Sequence, residues 1–218
     1  VILPHNKHPE GTTDQSMRNL VYPLNWDEIF QYVGFPAFLK PYSGGGWKHV
    51  YKGHSPEEFF HFYNQTGDLC MTLQHGVEFE EYYRCYAVGQ EKVHVMKYDP
   101  KAPFHERYVK GNPPPSSEKL HQRIVDDSLT LCRALGYDLN TVEFAVEGGV
   151  PYAIDFMNPA PDADINSVGK ENFDWIVNAV AEMAIKMAES DYNPASELRW
   201  AAFLNGAPAP GKVAAGKK

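Results

Sequence analysis

The feature that most constrains the fold is a pair of apolar runs that flank Gly148-Gly149 in the second half of the chain. Consecutive glycines accept the positive φ that a two-residue hairpin turn requires, so the runs predict two adjacent antiparallel strands. Side chains alternate between the faces of a strand, and this alternation can place Glu143, Asp155 and Asn158 at one end of the sheet. Two carboxylates that face one site repel each other and need a cation between them. The hairpin therefore predicts an all-oxygen Mg²⁺ site, and acids on an exposed strand face are the alternative.

An earlier segment combines a short apolar run with a lysine and a glycine-rich loop. Residues 35–40 predict a buried strand that ends in Lys40, where we expect the charge to point out of the core toward an anion. Glycines in the following loop can take positive φ and bring backbone amides close to phosphate oxygens. The loop has no Gly-Lys-Ser/Thr sequence, so it is not a Walker A motif, and a plain glycine hairpin is the alternative. The loop residues that we predict to contact phosphate are Ser43, Gly44, Gly45 and Gly46.

Composition excludes several classes of function. The formal net charge of -8 argues against a nucleic-acid-binding protein, because such proteins neutralise many phosphates with Lys and Arg. Three widely spaced cysteines support neither a zinc site nor a disulfide framework. No apolar stretch is long enough to span a bilayer, and the first residues lack a signal-peptide pattern. We therefore expect a cytoplasmic protein without a nucleic-acid or membrane partner.

The pattern of apolar residues, caps and turns predicts an α+β fold with antiparallel sheets. Helices are predicted where a capping residue precedes an apolar periodicity, and strands where apolar residues alternate or run together between turns. Residues 99–115 are rich in proline and predict a loop at an opening. Predicted helices cover residues 25–33, 55–65, 116 or 117 to 135, and 171–189, and predicted strands cover 1–4, 35–40, 49–52, 70–74, 83–88 and 93–98 in addition to the hairpin.

A short segment after the fourth predicted strand suggests contacts with a nucleoside. Gln74, His75 and Val77 follow that strand directly and precede the acids Glu80 and Glu81. This arrangement can place backbone groups on the edge of an adenine and a carboxylate on ribose hydroxyls. An exposed acidic turn is the alternative.

Three basic residues are candidates for contact with a phosphate or a substrate carboxylate. Arg84 and Lys97 lie on successive predicted strands, and Arg107 lies in the proline-rich loop. Surface ion pairing is the alternative for each of them. No HExxH motif or nucleophile elbow occurs, so we do not expect a hydrolase that depends on histidine.

The glycine-loop segment, the predicted nucleoside-contact segment and the carboxylate hairpin, in this order along the chain, resemble the ATP-grasp superfamily. The resemblance is to carboxylate-amine ligases in particular, such as ribosomal-protein glutamate ligases, glutathione synthetases and D-alanine ligases. The resemblance covers about residues 1–190 and rests on the segments FPAFLKPYSGGG, MTLQHGVEFEEYYRCYAVG and LGYDLNTVEFAVEGGVPYAIDFMNPAPD. It implies that Lys40 and the glycine loop bind ATP phosphates and that Arg84 faces the reacting phosphate or acyl group. It also implies that Gln74, His75 and Val77 border adenine, that Glu80 or Glu81 binds ribose, and that Glu143, Asp155 and Asn158 bind Mg²⁺ or Mn²⁺.

The same resemblance implies two α+β subdomains with antiparallel sheets that clamp a nucleotide. The glycine-rich lid and adenine hinge would lie in residues 25–90 and the metal hairpin in residues 91–200, after an initial strand and loop at 1–24 and before a flexible tail at 201–218. The implied activity is a Mg-ATP-dependent ligase that joins a carboxylate to an amine through an acyl phosphate. An ATP-grasp kinase or carboxylase and a non-catalytic nucleotide-binding module are the alternatives, and homo-oligomerisation is left open.

The sequence departs from the superfamily pattern at two positions. Asp155 and Asn158 are separated by two residues where the superfamily usually has one, which predicts a β-bulge or an altered ligand set. His75 stands where an acid is common. The chain starts at Val1 without the amino-terminal domain of these ligases, so we expect a fragment that binds ATP poorly or is inactive alone.

Overall fold

The computed structural model describes residues 1–18 and 23–191, apart from the side chain of Phe104. These residues form two compact units, one from Val1 to Val77 and a second that begins at Glu78. Each unit contains a four-stranded antiparallel sheet with packed helices, which confirms the predicted α+β class.

The first unit consists of β1 (Ile2–Leu3), α1 (Trp26–Val33), β2 (Ala37–Pro41), β3 (Tyr51–Gly53), α2 (Pro56–Tyr63) and β4 (Met71–His75). Its strands lie in the order β1-β4-β2-β3. Helix α1 begins after Asn25, whose side chain accepts a hydrogen bond from the Glu28 N–H, and α2 begins after Ser55, whose hydroxyl accepts from the Glu58 N–H. These caps satisfy backbone donors that a first helical turn leaves unpaired, as the sequence predicts.

One face of this sheet packs against the two helices. Leu39 of β2 and Met71 of β4 are buried there together with Phe59 of α2. Because side chains alternate along a strand, the opposite face of the sheet carries Lys40 of β2 and Thr72 of β4, which are direct cross-strand partners. The first sheet thus has one apolar face and one face with polar and charged side chains.

The second unit consists of β5 (Glu81–Val88), β6 (Lys92–Lys97), α3 (Glu118–Leu135), β7 (Leu139–Glu147), β8 (Val150–Asn158), α4 (Ile165–Val168) and α5 (Lys170–Ala188). Its strands lie in the order β6-β5-β7-β8. The hairpin of β7 and β8 turns at Gly148 and Gly149, both at positive φ, as the sequence predicts. Helix α3 begins after the Ser117 cap and ends at Gly136 in the left-handed conformation.

Helices cover both faces of the second sheet. Tyr83 of β5 and Phe144 of β7 pack in one core with Ile124 of α3. On the opposite face, Tyr86 of β5 packs in another core with Ile176 of α5. Alternating residues of one strand therefore enter two separate cores, which explains why β5 is buried along almost its whole length.

The boundary between the units differs from the division that the sequence predicts. The units divide after Val77 rather than after residue 90, because β5 pairs on one side with β6 and on the other with β7. The predicted initial strand at residues 1–4 is part of the first unit, where β1 pairs with β4. The predicted tail at 201–218 lies outside the described residues. None of the described helices has the length and apolar character needed to cross a membrane.

Candidate functional site

The central strands of the second sheet bring Arg84, Glu143 and Asp155 into one row. Arg84 of β5 lies directly opposite Glu143 of β7, and Glu143 lies directly opposite Asp155 of β8. Residues that face each other across neighbouring strands project from the same face of a sheet. The predicted meeting of Glu143 and Asp155 on one face is therefore present, and Arg84 joins them.

Glu143 is held by two neighbours on this face. The Arg84 Nε lies 3.7 Å from Glu143 Oε1, and the side chains of Arg84 and Glu143 are 12% and 20% exposed. The Tyr82 hydroxyl donates a 2.6 Å hydrogen bond to Glu143 Oε2. Burial is the largest influence on this carboxyl and raises its pKa, and the negative charge of Asp155 raises it further. The Tyr82 hydrogen bond and the charges of Arg84 and Arg107 lower the pKa but do not offset burial.

A cation beside Glu143 and Asp155 would offset the burial and the repulsion that raise the pKa of Glu143. The carboxylates of Glu143 and Asp155 and the amide of Asn158 are oxygen donors of the kind that Mg²⁺ binds. No group of three or more His, Cys, Asp or Glu side chains that could hold a metal occurs among residues 1–18 and 23–191. A cation at this position would therefore depend on the two carboxylates, on Asn158, and on oxygens from a ligand or water.

The predicted bulge lies between the proposed metal ligands. Strand β8 has extra residues on both sides of the Glu143–Asp155 pair, and Asn158 lies opposite Thr141. The buried side chain of Asn140 spans the irregular segment: its Nδ2 donates to the Phe156 carbonyl at 2.8 Å, and its Oδ1 accepts from the Asn158 N–H at 2.8 Å. The bulge lets Phe156 enter the core with α3 while Asp155 stays exposed.

Arg84 is surrounded by aromatic rings on the same face. Its guanidinium carbon lies 5.8 Å from the centre of the Tyr98 ring and 5.9 Å from that of Tyr108. Tyr108 comes from the proline-rich segment that also carries Arg107, and Tyr98 and Tyr108 form an isolated antiparallel bridge. This segment is thereby attached to the sheet beside Arg84.

Lys97, another of the predicted phosphate or carboxylate contacts, lies on the face of the sheet opposite Arg84. Lys97 lies opposite Tyr83, whereas Arg84 lies opposite Met96, so Lys97 and Arg84 project from opposite faces. The pairing of Val88 with Lys92 sets this register, and a register shifted by one residue would put Lys97 on the Arg84 face.

Lys97 instead belongs to a hydrogen-bonded cluster around Glu81. The Lys97 Nζ lies 3.3 Å from Glu81 Oε2 and 3.2 Å from the Tyr83 hydroxyl, which donates to the same carboxylate. The Ser116 N–H also donates to Glu81 Oε2, at 3.3 Å. Burial alone would raise the pKa of Glu81, but these hydrogen bonds and the Lys97 charge hold it below its ordinary value. This cluster ties the segment before α3 to the sheet.

The two candidate ribose acids both accept hydrogen bonds within the second unit. Glu81 accepts those just described. The Glu80 carboxylate accepts from the Gly148 N–H at the hairpin turn, at 3.1 Å and 3.2 Å. Glu80 is exposed and Glu81 is half-buried, so Glu80 is the more accessible of the two.

The remaining predicted nucleotide contacts lie in or next to the first sheet. Gln74 lies opposite Phe38, on the same face as Lys40. His75 is exposed, and its Nδ1 lies 2.9 Å from the Val33 carbonyl. Val77 ends the first unit. The loop residues Ser43, Gly44, Gly45 and Gly46 are all exposed, and a Cβ atom at any of the three glycines would meet no atom within 4 Å.

Sequence reasoning missed four residues that shape the Arg84 face. Tyr82 could have been found, because it lies two positions from Arg84 on the same strand and therefore on the same face. Tyr98 follows from the same alternation only once the β5–β6 register is known. Tyr108 depends on the path of the proline-rich segment, which has no local sequence signal. Asn140 depends on the exact position of the bulge, which the spacing of Asp155 and Asn158 does not fix.

Comparison with known proteins extends this description. No protein-family model matches the chain, and no curated protein matches it in sequence. The fold is similar to that of a D-alanine–D-alanine ligase from Bacillus anthracis complexed with ATP, with a TM-score of 0.61 and 20% identity over 77% of this chain and 58% of the ligase. It is also similar to a D-Ala:D-Ser ligase from Enterococcus faecalis (TM-score 0.58, 15% identity, 74% of this chain and 52% of the ligase).

An N5-carboxyaminoimidazole ribonucleotide synthetase from Thermus thermophilus is a third similar structure, with a TM-score of 0.53 and 18% identity over 74% of this chain. The match covers 46% of that synthetase. The chain thus spans about half the length of the solved structures that it matches.

Proposed function

Because the chain has the ATP-grasp fold of carboxylate-amine ligases, we propose that it binds Mg-ATP and forms part of a ligase that joins a carboxylate to an amine. The observation that carries the proposal is the row of Arg84, Glu143 and Asp155 on one face of the second sheet. The row combines a half-buried cation with two carboxylates, in a fold similar to that of a ligase complexed with ATP.

The donor set supports a magnesium ion. Glu143, Asp155 and Asn158 would hold it, and its charge would lower the pKa of Glu143, which burial and the neighbouring Asp155 now raise. When bound, Mg²⁺ supplies positive charge that screens the phosphate oxygens of ATP.

The chain's own cations supply the remaining positive charge. Arg84 and Arg107 are proposed to donate hydrogen bonds to anionic oxygens near Glu143, and Lys40 with the glycine loop to contact the phosphates. Phosphoryl transfer depends mainly on such positioning and charge stabilisation and little on bond formation by the protein. This agrees with a face on which the cation Arg84 is held in place beside two carboxylates.

The proposed reaction has two steps. A carboxylate oxygen of the substrate attacks the γ-phosphorus of ATP, and the bond from that phosphorus to the β–γ bridging oxygen breaks, which leaves an acyl phosphate and ADP. The amine nitrogen then attacks the acyl carbon, the carbon–oxygen bond to the phosphate breaks, and the nitrogen loses a proton as the amide forms. Both substrates remain to be identified.

A non-catalytic nucleotide-binding module is the second candidate. The two-residue separation of Asp155 and Asn158 favours it. The two candidates share ATP binding and differ in the release of ADP when carboxylates and amines are supplied.

Calorimetric titration tests the shared step. Mg-ATP and metal-free ATP are titrated into the wild-type chain and into Lys40→Ala and Asp155→Asn, with Lys119→Ala as the control for loss of an exposed lysine on α3. We expect binding that requires Mg²⁺, weakened by roughly tenfold or more in both site variants and unchanged in the control. Absence of heat with the wild type, or equal affinity in all variants, contradicts the proposal.

A further inference from the structure

Arg84 is held by two aromatic rings, and its Nε–H forms no hydrogen bond within the described residues. The Tyr98 and Tyr108 rings lie 5.8 Å and 5.9 Å from its guanidinium carbon, and the two rings meet edge to face with centres 5.1 Å apart. The negative face of an aromatic ring attracts a cation without accepting a conventional hydrogen bond from it. Such a contact fixes the position of the charge and leaves the donors available.

The ion pair with Glu143 does not use these donors fully either. Its contact joins Nε to Oε1 at 3.7 Å, which is longer than a hydrogen bond, and Glu143 Oε2 accepts from Tyr82. Arg84 Nε is buried without a hydrogen-bond partner in the described part of the chain. Arginine–carboxylate pairs frequently form two parallel hydrogen bonds, whereas this pair has a single contact of 3.7 Å.

The position of the Tyr108 ring is fixed by the backbone. The Asp99 N–H donates to the Arg107 carbonyl at 2.8 Å, and the Val109 N–H donates to the Lys97 carbonyl at 3.2 Å, one on each side of the Tyr98–Tyr108 bridge. The Tyr108 hydroxyl is buried and has no hydrogen-bond partner among the described residues. The ring is therefore the part of Tyr108 that contributes to the site.

We propose that Tyr98 and Tyr108 are positioning residues that hold Arg84 with its outer N–H donors directed to an anionic oxygen group of the substrate. That this group is a phosphoryl or acyl-phosphate oxygen rests on the proposed function. The arrangement explains three observations together: the incomplete ion pair, the two flanking rings, and the buried hydroxyl without a partner among the described residues.

The test distinguishes the contribution of the Tyr108 ring from that of its hydroxyl. Tyr108→Phe keeps the ring and removes the hydroxyl, Tyr108→Leu removes the ring, and Tyr152→Leu is the control, since Tyr152 is an exposed tyrosine of β8. Arginine Nε–H resonances are recorded by NMR for each variant, and the Arg84 signal is assigned from its loss in Arg84→Lys. Mg-ATP and, separately, inorganic phosphate are titrated, and thermal melting confirms that each variant is folded.

We expect the Arg84 resonance to respond to Mg-ATP, with the same shift and an affinity within about twofold in Tyr108→Phe and Tyr152→Leu. In Tyr108→Leu the resonance moves, because the ring-current shift is lost, and affinity falls about tenfold. An unchanged resonance and affinity in Tyr108→Leu overturn the inference, as does equal damage in Tyr108→Phe.

The two proposals fail in different ways. If Mg-ATP binds but does not move the Arg84 resonance, the inference is wrong and the proposed function stands. If Mg-ATP does not bind, the proposed function fails, and the response of Arg84 to inorganic phosphate, with its dependence on the Tyr108 ring, then decides the inference by itself.

Discussion

Two ion pairs on opposite faces of the second sheet show how the same chemistry serves two purposes. Lys97 and Glu81 lie on the α3 face, and Glu81 accepts hydrogen bonds from Lys97, from the Tyr83 hydroxyl and from a backbone N–H. Arg84 and Glu143 lie on the other face, where Glu143 accepts one hydrogen bond from Tyr82 and its contact with Arg84 measures 3.7 Å.

The difference is visible in the two carboxyl groups. The pKa of Glu81 is lowered despite burial, whereas the pKa of Glu143 is raised by burial and by Asp155. A half-buried carboxylate that accepts several hydrogen bonds stabilises the fold, and one with fewer such partners is suited to receive a ligand or a cation. We therefore regard the Glu81 face as structural and the Glu143 face as the candidate site.

The largest effect is expected at Asn140, the buried residue that supports the bulge behind the Glu143 face. Asn140→Ala removes two hydrogen bonds to the backbone of β8 and leaves the half-buried Phe156 carbonyl and Asn158 N–H without this partner. We expect the free energy of unfolding to fall by about 3 kcal/mol, measured by urea denaturation. A loss within the error of the measurement would mean that the bulge does not need this side chain.

The next largest effect is the difference in stability loss between Glu81→Ala and Glu143→Ala. Glu81→Ala leaves Lys97, the Tyr83 hydroxyl and the Ser116 N–H without this acceptor, and we expect a loss of about 2 kcal/mol in the free energy of unfolding. Glu143→Ala should cost about 1 kcal/mol or less, because removing a poorly compensated buried charge offsets the lost hydrogen bond. A larger loss for Glu143→Ala than for Glu81→Ala would reverse our assignment of the faces.

The smallest expected effect concerns pH: the contributions of Glu81 and Glu143 to the free energy of unfolding should change with pH in opposite directions. Glu81 has a lowered pKa, so its stabilisation is present above its unfolded-state pKa and is lost as pH falls through the folded-state value. Glu143 has a raised pKa, so its contribution is present below the unfolded-state pKa and is lost as pH rises through the folded-state value.

Carboxyl ¹³C NMR titration measures both groups in one experiment, with Glu81→Gln and Glu143→Gln for assignment. We expect Glu81 to titrate below the ordinary glutamate range and Glu143 above it. In Glu81→Gln the free energy of unfolding should fall less steeply as pH decreases than in the wild type. Glu143→Gln should remove the fall in the free energy of unfolding that the wild type shows as pH rises just above the ordinary glutamate pKa range. Titration of both groups on the same side would contradict the comparison.

Much of the second unit could be predicted because its signals are local. Ser117 caps α3, Gly136 ends it, and Gly148-Gly149 closes the hairpin, each through the backbone conformation that the residue prefers. The caps and the hairpin turn need only the residues within one or two adjacent elements. Regular pairing from the turn would put Ile154 opposite Glu143, so the meeting of Glu143 and Asp155 depends on the bulge in β8 as well as on the turn.

The parts that could not be predicted depend on register. The pairing of Val88 with Lys92 puts Lys97 on the face opposite Arg84, and the sequence around Gly89 and Gln90 does not fix that register. The contact of Arg84 with Glu143 joins strands that are distant in sequence, and the place of Tyr108 depends on the path of the proline-rich segment. Long-range pairing, rather than residue chemistry, limited the prediction.

The most direct test of the assignment compares Arg84→Met with Lys97→Met, since each variant replaces a cation by an apolar side chain of similar length on one face. Mg-ATP affinity is measured by calorimetry and stability by urea denaturation on the same preparations. We predict that Arg84→Met loses roughly tenfold or more in affinity with little loss of stability, and that Lys97→Met loses about 1–2 kcal/mol of stability with unchanged affinity. Loss of affinity in Lys97→Met without any in Arg84→Met would contradict the account.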